Sequence, residues 1–242
     1  MRLEFLGELF DTVTHVLGFA VCHQLPSRTL EFGGKYLPMC ARCSGIYFGV
    51  FASYTYLVVR RGFRVNSIPR ITYSLIIAAF ILPMAFDGAT SYLGLRETTN
   101  ALRVVTGTLA GSVLPIFAFP LLSPELILAE EKKEGEYPPF ARWYDLLIWA
   151  AFVAVLLILS LQNWSWLYWP LTAFSTVGLV AIFFNLGLVV VEMVGERHRW
   201  ARRPWSFLWA ALIVTFIFSV LILLHKFAYD MMLDATGGVL PE

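Results

Sequence analysis

The chain alternates long apolar runs with short polar segments from one end to the other. Runs of about 18 or more predominantly apolar residues are long enough for a helix to cross a bilayer. The chain contains about six of them, at residues 43–59, 71–94, 101–122, 144–162, 167–194 and 206–227. This pattern predicts an all-α fold, a multi-pass transmembrane helical bundle with about six spans.

The first twenty residues follow a different pattern. In "LEFLGELFDTVTHVLGFAVC" the polar residues Glu8, Asp11 and His15 recur at helical spacing, which predicts an amphipathic helix. This helix either lies along the membrane interface or spans the bilayer with its polar face turned inward. The segment lacks a basic start and a small-residue cleavage site, so it is not predicted to be a removable signal peptide.

The composition supports a membrane protein. Only 14% of the residues are charged, whereas a soluble domain usually has about a quarter. Lipid must therefore cover much of the surface, and membrane lipids are the expected partners. The net charge of +1 gives no reason to expect nucleic-acid binding. Nothing in the sequence sets the oligomeric state.

Because the apolar runs recur throughout, residues 1–242 are predicted to form a single integral membrane domain. Its segments are an N-terminal helix with a Cys/His outer loop (1–42), signature spans (43–122), a charged cytoplasmic loop (123–143), C-terminal spans (144–227) and a tail (228–242). The arginine-rich or lysine-containing loops 60–70, 123–143 and 195–205 belong on the cytoplasmic side of the cell membrane. The cysteine segment and the 87–100 connection then fall at the outer face.

All three cysteines lie in one short segment, "CHQLPSRTLEFGGKYLPMCARC". Three thiols and an imidazole are the ligand set of a Cys3His zinc site, and a CxxC pair lets a tight turn aim two thiolates at one ion. The basic residues Arg28, Lys35 and Arg42 would favour the thiolate form. The predicted metal ligands are Cys22, His23, Cys40 and Cys43, with zinc as the expected cofactor.

Other interpretations of the cysteines stay open. They could be apolar packing residues, a structural disulfide, or a CxxC redox dithiol. Adjacent residues such as Cys22 and His23 cannot easily both reach one tetrahedral ion. Three protein ligands with an open fourth position would suit catalysis, whereas four would suit a structural role.

A second polar group occurs in "FDGATSYLGLRETTNALRVVTGTLAG", residues 86–111. Asp87 ends an apolar span, and Asn100, Arg103 and Gly107 share one face of the next helix. An ionisable residue inside a span usually faces the bundle interior with a partner. Asp87 and Arg103 could form an ion pair that only locks two helices. Alternatively, Arg103 and Asn100 could present donors to an anionic head group, with Asp87 as base, metal ligand or orienting group.

The small residues predict how these segments pack. Gly45 and Gly49 form a GxxxG pair in the first span, as do Gly107 and Gly111 in the third. Such pairs let helices approach closely. The cysteine-bearing helix is therefore expected to lie against the helix that carries Arg103.

Three blocks of the sequence resemble a known family. "CHQLPSR" at 22–28, "PMCARCSGIYFG" at 38–49 and the 86–111 segment are similar to the signature of predicted integral membrane proteins called domain of unknown function 2085. The familiar pattern often has Thr where this chain has Ser44. The resemblance covers roughly the first half of the chain and implies no mechanism. It implies that the family tends to share Cys22, His23, Gln24, Arg28, Cys40, Arg42, Cys43, Gly45, Tyr47, Asp87, Asn100, Arg103, Thr106 and Gly107.

These features lead to three functional expectations. The first is a zinc metalloenzyme acting on a lipid or polyprenyl substrate at the outer face, with the head group bound by Gln24, Arg28, Arg42 and Arg103 and catalysis by Asp87, Asn100 and Arg103. The second is a thiol–disulfide oxidoreductase that uses the CxxC pair with a quinone. The third is a non-enzymatic transporter or scaffold with a structural metal site.

Overall fold

The computed structural model describes residues 2–62, 64–122, 135–198 and 203–235, and it confirms the all-α multi-pass architecture. Residues 123–134 of the predicted loop 123–143, residues 199–202 of the predicted loop 195–205 and residues 236–242 of the tail lie outside the described residues. The helices are α1 (Arg2–Phe19), α2 (Ala41–Arg61), α3 (Ile71–Ala78), α4 (Leu82–Tyr92), α5 (Asn100–Ala118), α6 (Trp143–Ser160), α7 (Tyr168–His198) and α8 (Arg203–Ala235).

Within the described part of the chain, five helical segments are long and apolar enough to cross a membrane. They match five of the six predicted runs and cover Ile71–Tyr92, Asn100–Leu121, Trp143–Ser160, Ser165–Val194 and Trp205–Met231. The first combines α3 and α4, which a short 3-10 turn at Ala79–Ile81 joins. The sixth run, 43–59, lies in α2, which is more polar than the other five. The amphipathic α1 is not one of the five either.

Helix α2 can be more polar because it lies inside the bundle, packed against α5, α6 and α7. The Ser53 hydroxyl donates to the Ser112 carbonyl oxygen and accepts from Trp149 Nε1, and the Tyr56 hydroxyl donates to the Pro139 carbonyl oxygen. A polar side chain in a bundle interior is stable when such partners satisfy it. Phe48, together with Tyr56, is fully buried there, so α2 forms the centre of the core.

The two glycine pairs bring α2 and α5 into backbone contact, as the sequence predicted. A Cβ atom built at Gly45 would lie 2.5 Å from the Val104 carbonyl oxygen. One built at Gly111 would collide with the backbone of Ile46, and one at Gly107 would collide with the Arg42 carbonyl oxygen. Only glycine permits this approach, and it places the start of α2 directly against α5.

A small β-hairpin precedes α2 and was not predicted. Strands β1 (Thr29–Phe32) and β2 (Lys35–Cys40) are antiparallel, and Gly33 and Gly34 form the two-residue turn between them. Both glycines have positive φ, 58° and 82°, as the tight turns favoured in hairpins require. Strand β2 ends at Cys40, which is also the N-cap of α2, so the hairpin leads directly into the first turn of that helix.

Candidate functional site

The three thiols lie together. The Sγ atoms of Cys22, Cys40 and Cys43 are all within 4.8 Å of one another, and none is in a disulfide. Sulfur atoms bound to one tetrahedral zinc ion at about 2.3 Å are about 3.8 Å apart, so this spacing fits a three-thiolate metal centre. Among the described residues no histidine or carboxylate belongs to this group, so the cluster offers three protein ligands.

The local backbone holds the Cys22 sulfur in place. The Cys40 amide donates to Cys22 Sγ over 3.1 Å, and the Gln24 amide donates to the same atom over 3.5 Å. Gln24 adopts a positive φ of 53°, which is uncommon for a residue with a side chain. Amide donors aimed at a sulfur atom favour its thiolate, which is the form that binds metal.

The thiols also hydrogen-bond one another, and these hydrogen bonds shift the pKa values of Cys22 and Cys40 in opposite directions. Hydrogen bonds from Cys22 and Cys43 lower the pKa of Cys40 far below its ordinary value. The hydrogen bond between Cys22 and Cys40, reinforced by burial, raises the pKa of Cys22 to about 11. Of the three thiols, Cys40 is therefore the most acidic.

His23, predicted as a fourth ligand, lies elsewhere. Its ring meets the ring of His225, on α8, with centroids 4.5 Å apart, and its side chain is exposed. It does not belong to the thiol group. The side chains of adjacent residues project in different directions, so Cys22 and His23 do not both reach the thiol group.

The Gln24 side chain links the cysteine loop to α1 and β2 through hydrogen bonds. Its side-chain Nε2 donates to the carbonyl oxygens of His15 and Pro38, each over 2.7 Å. Both amide hydrogens are therefore committed to the backbone of α1 and β2. The structure gives Gln24 a positioning role for the cysteine loop, while its predicted contact with a head group stays a prediction.

Asp87 pairs with Arg42 and Arg96 rather than with Arg103. Its Oδ2 lies 2.5 Å from Arg42 Nη2, and its Oδ1 lies 2.5 Å from Arg96 Nη2. The Thr98 hydroxyl donates to Oδ1 over 3.0 Å. The carboxylate is 1% exposed. Because donors occupy both oxygens, Asp87 is arranged to orient Arg42 more than to accept a proton.

Asn100 and Arg103 form the other side of the site. The Asn100 amide donates to the carbonyl oxygens of Ser27 and Thr29, each over 3.3 Å, which ties the cysteine loop to the start of α5. Its side-chain oxygen accepts from Arg103 Nη1 over 2.8 Å. Thr99 caps the same helix, because its hydroxyl oxygen accepts from the Leu102 amide. Asn100 thus sets the direction of the Arg103 guanidinium.

The two polar groups meet at Arg42, whose guanidinium pairs with Asp87. Arg103 is partly buried, and the charges of Arg28, Arg42 and Asp87 act on its guanidinium. Arg42 stands between the two cysteines of the CxxC pair. Its Nε is buried and has no hydrogen-bond partner within the described ranges. A cluster of guanidinium groups with an unsatisfied donor is suited to an anion.

Arg96 and Thr98 are site residues that the sequence analysis missed. The string "LRETTN" places them between Asp87 and Asn100, both of which were recognised. A basic residue in the short connection after a buried aspartate was the available signal. Arg96 reaches Asp87 only because the connection between α4 and α5 turns back toward α4, and the sequence alone does not specify that turn.

Comparison with known proteins points to the same region. The family described as "Predicted membrane protein (DUF2085)" matches residues 22–117. An uncharacterized protein of Methanocaldococcus jannaschii is 40% identical over 104 residues, which are 42% of this chain and 63%, just under two thirds, of that protein. An uncharacterized protein of Methanothermobacter thermautotrophicus is 38% identical over 99 residues, 40% of this chain and 82% of that protein. No solved structure matches the chain significantly.

Proposed function

Because the chain belongs to the DUF2085 family of predicted membrane proteins, and the matched region holds the whole thiol cluster, we propose that it is a zinc-binding membrane enzyme. The observation that carries this proposal is the position of Cys22, Cys40 and Cys43, with sulfurs within 4.8 Å, beside a cluster of arginines. Three protein ligands leave a fourth position for a substrate or water, which is the pattern of catalytic zinc sites.

The substrate class follows from the arginines. Arg42 stands between the two cysteines of the CxxC pair and pairs with Asp87, so an anion bound by its guanidinium would lie near the thiols. In a membrane bundle, the abundant ligands of this kind are lipids or polyprenyl carriers with phosphate or carboxylate head groups. The proposed reaction is hydrolysis or transfer at such a head group.

Each side chain then has a defined task. Arg103, aimed by Asn100, and Arg42, aimed by Asp87, bind the anionic group and offset the negative charge that develops during reaction. The exposed Arg28, between the two residues whose carbonyl oxygens accept from Asn100, attracts the head group. A bound zinc ion would supply Lewis-acid polarisation of the substrate oxygen. Asp87 and Asn100 act as positioning residues.

We place the site at the outer leaflet. The placement rests on the basic residues in the loops at the opposite end of α2, where Arg60 and Arg61 pair with Asp145. A membrane-impermeant maleimide added to intact cells would test it. Labelling of Cys40 only after the cells are permeabilised would overturn the outer-face placement without affecting the zinc assignment.

The test of the metal assignment is elemental analysis combined with a thiol count, on protein purified in mild detergent without chelator. We expect about one zinc per chain and its loss in Cys40→Ser/Cys43→Ser. Met39→Leu is the matched control, because Met39 is buried beside Cys22 and the swap conserves volume. A wild-type protein without metal would overturn the proposal.

A second assay tests the anion site. Lipid retention by native mass spectrometry would compare phosphatidic acid with phosphatidylcholine, and inorganic phosphate would serve as the competitor. We expect Arg103→Gln to lose the preference for the anionic lipid, whereas Arg64→Gln, which removes an exposed charge beyond the other end of α2, keeps it. Metal without any head-group preference would favour a scaffold or transporter with a structural metal.

One observation favours thiol–disulfide oxidoreduction as the second candidate. Cys40 is the N-cap of α2 and hydrogen bonds from the other thiols lower its pKa, so it has the properties of a nucleophilic cysteine of a CxxC motif. Under this alternative Cys43 or Cys22 would resolve the mixed disulfide, and a quinone would take the electrons. Two thiols that react only after reduction, in a protein without zinc, would support it.

A further inference from the structure

Two histidines from distant parts of the chain meet beside the thiol cluster. His23 follows Cys22, and His225 lies near the end of α8, in the last span. Their rings are 4.5 Å apart between centroids and meet edge to face at 63°. A contact over two hundred positions in sequence is a product of the tertiary fold and not of local geometry.

The His225 ring is positioned by stacking, but one of its nitrogens has no hydrogen-bond partner among the described residues. Its ring stacks on Phe19, at the end of α1, with centroids 4.4 Å apart and an interplanar angle of 14°. Its Nε2 is buried and has no hydrogen-bond partner anywhere in the described part of the protein. A buried, unpartnered imidazole nitrogen is costly, and its usual explanation is a partner such as a water, an ion or a metal.

His23 supplies the complementary, accessible half of the pair. Its side chain is exposed, so its ring can rotate toward the buried nitrogen of His225. The thiols, by contrast, are buried or half-buried beneath α7 and α8. Solvent therefore reaches His23 more readily than it reaches the sulfurs.

We propose that His23 and His225 form a second metal site, made of imidazole nitrogens and separate from the three thiolates. Imidazole suits borderline divalent ions such as Zn²⁺, Ni²⁺ and Co²⁺, and water would complete the coordination. The proposal does not rest on the proposed function, since the pair can bind an ion whether or not the thiols do.

The test uses Co²⁺ bound to the full chain in detergent, because thiolate ligation produces a near-ultraviolet charge-transfer band that imidazole ligation lacks. Equilibrium dialysis counts total cobalt, and the band counts thiolate-bound cobalt. We expect the wild type to hold an ion that does not contribute to the band. His225→Phe, which keeps the stacking on Phe19, should lose this ion. His23→Ala should weaken its binding at least about tenfold.

The matched control is His15→Ala, which removes a histidine of α1 that is not in the pair and should bind cobalt as the wild type does. The proposal is overturned if the wild type holds no cobalt outside the thiolate band, or if His225→Phe binds as much as the wild type. It is also overturned if His23→Ala loses the band, because His23 would then be a ligand of the thiolate centre. A wild type without the band that still loses its cobalt in His225→Phe would support this site and reject the zinc–thiolate proposal.

Discussion

Arg42 Nη2 lies 2.5 Å from Asp87 Oδ2, so the first turn of α2, which carries Cys43, is fastened to α4 by a buried carboxylate. Arg42 also stands between the two cysteines of the CxxC pair. The same contact therefore fixes the direction of a guanidinium at the anion site and the position of the helix that presents the thiols. Its loss should affect both stability and metal retention.

We expect Asp87→Asn to destabilise the protein by about 1–3 kcal/mol, because it removes the charge that pairs with Arg42 and Arg96 at a buried position. Both arginines remain partly exposed, which keeps the cost below that of a fully buried pair. Unfolding by SDS in mixed micelles measures the change. The control is Asp11→Asn, which breaks a more exposed pair with Lys35 and should cost at most about 1 kcal/mol. Equal effects of the two substitutions would contradict the role assigned to Asp87.

The contact between α2 and α5 is tested by Gly111→Ala. The added Cβ would collide with the backbone of Ile46, which cannot move aside as a flexible side chain could. We expect a loss of about 1–3 kcal/mol in unfolding free energy and weaker metal retention, because the start of α2 would be displaced. Gly88→Ala is the matched control, since outside the neighbouring backbone of its own helix nothing lies within 4 Å of its added Cβ. A Gly111→Ala protein as stable as the control would show that the helices are not in contact.

The acidity of Cys40 predicts an unusual pH profile. Hydrogen bonds from the other two thiols lower the pKa of Cys40, so it stays a thiolate as the pH falls below the ordinary thiol pKa. In reduced, metal-free protein its alkylation by iodoacetamide should change little between about pH 6 and pH 8, whereas an ordinary thiol would react about a hundredfold faster at the upper end. Mass spectrometry identifies the labelled residue. The denatured chain should show the ordinary rise, and the same rise in the folded protein would rule out the stabilised thiolate.

The sequence predicted much of the fold because membrane spans depend on composition and length. The five apolar segments matched predicted runs, and the glycine pairs of α2 and α5 identified their contact. Helix α2 satisfied the length rule but is more polar than the others, since partners such as Ser112 satisfy its hydroxyl groups. Those partners are distant in sequence and became visible only in the tertiary structure.

The sequence identified most residues of the candidate site but not which of them contact one another. The three cysteines do come together, but His23 does not join them, and Asp87 takes Arg42 and Arg96 in place of Arg103. The hairpin that leads Cys40 into the start of α2 was not predicted either, although its Gly33–Gly34 turn is present in the sequence. Pairings of this kind depend on side-chain directions that spacing alone does not determine.

X-ray absorption at the zinc edge of the purified protein tests the central claim most directly, because it reports the ligands of the metal. We expect three sulfur atoms at about 2.3 Å and one oxygen or nitrogen atom at about 2.0 Å, without multiple scattering from imidazole. A spectrum without sulfur ligands, or one that shows a histidine in the fourth position, would contradict the open three-thiolate centre formed by Cys22, Cys40 and Cys43.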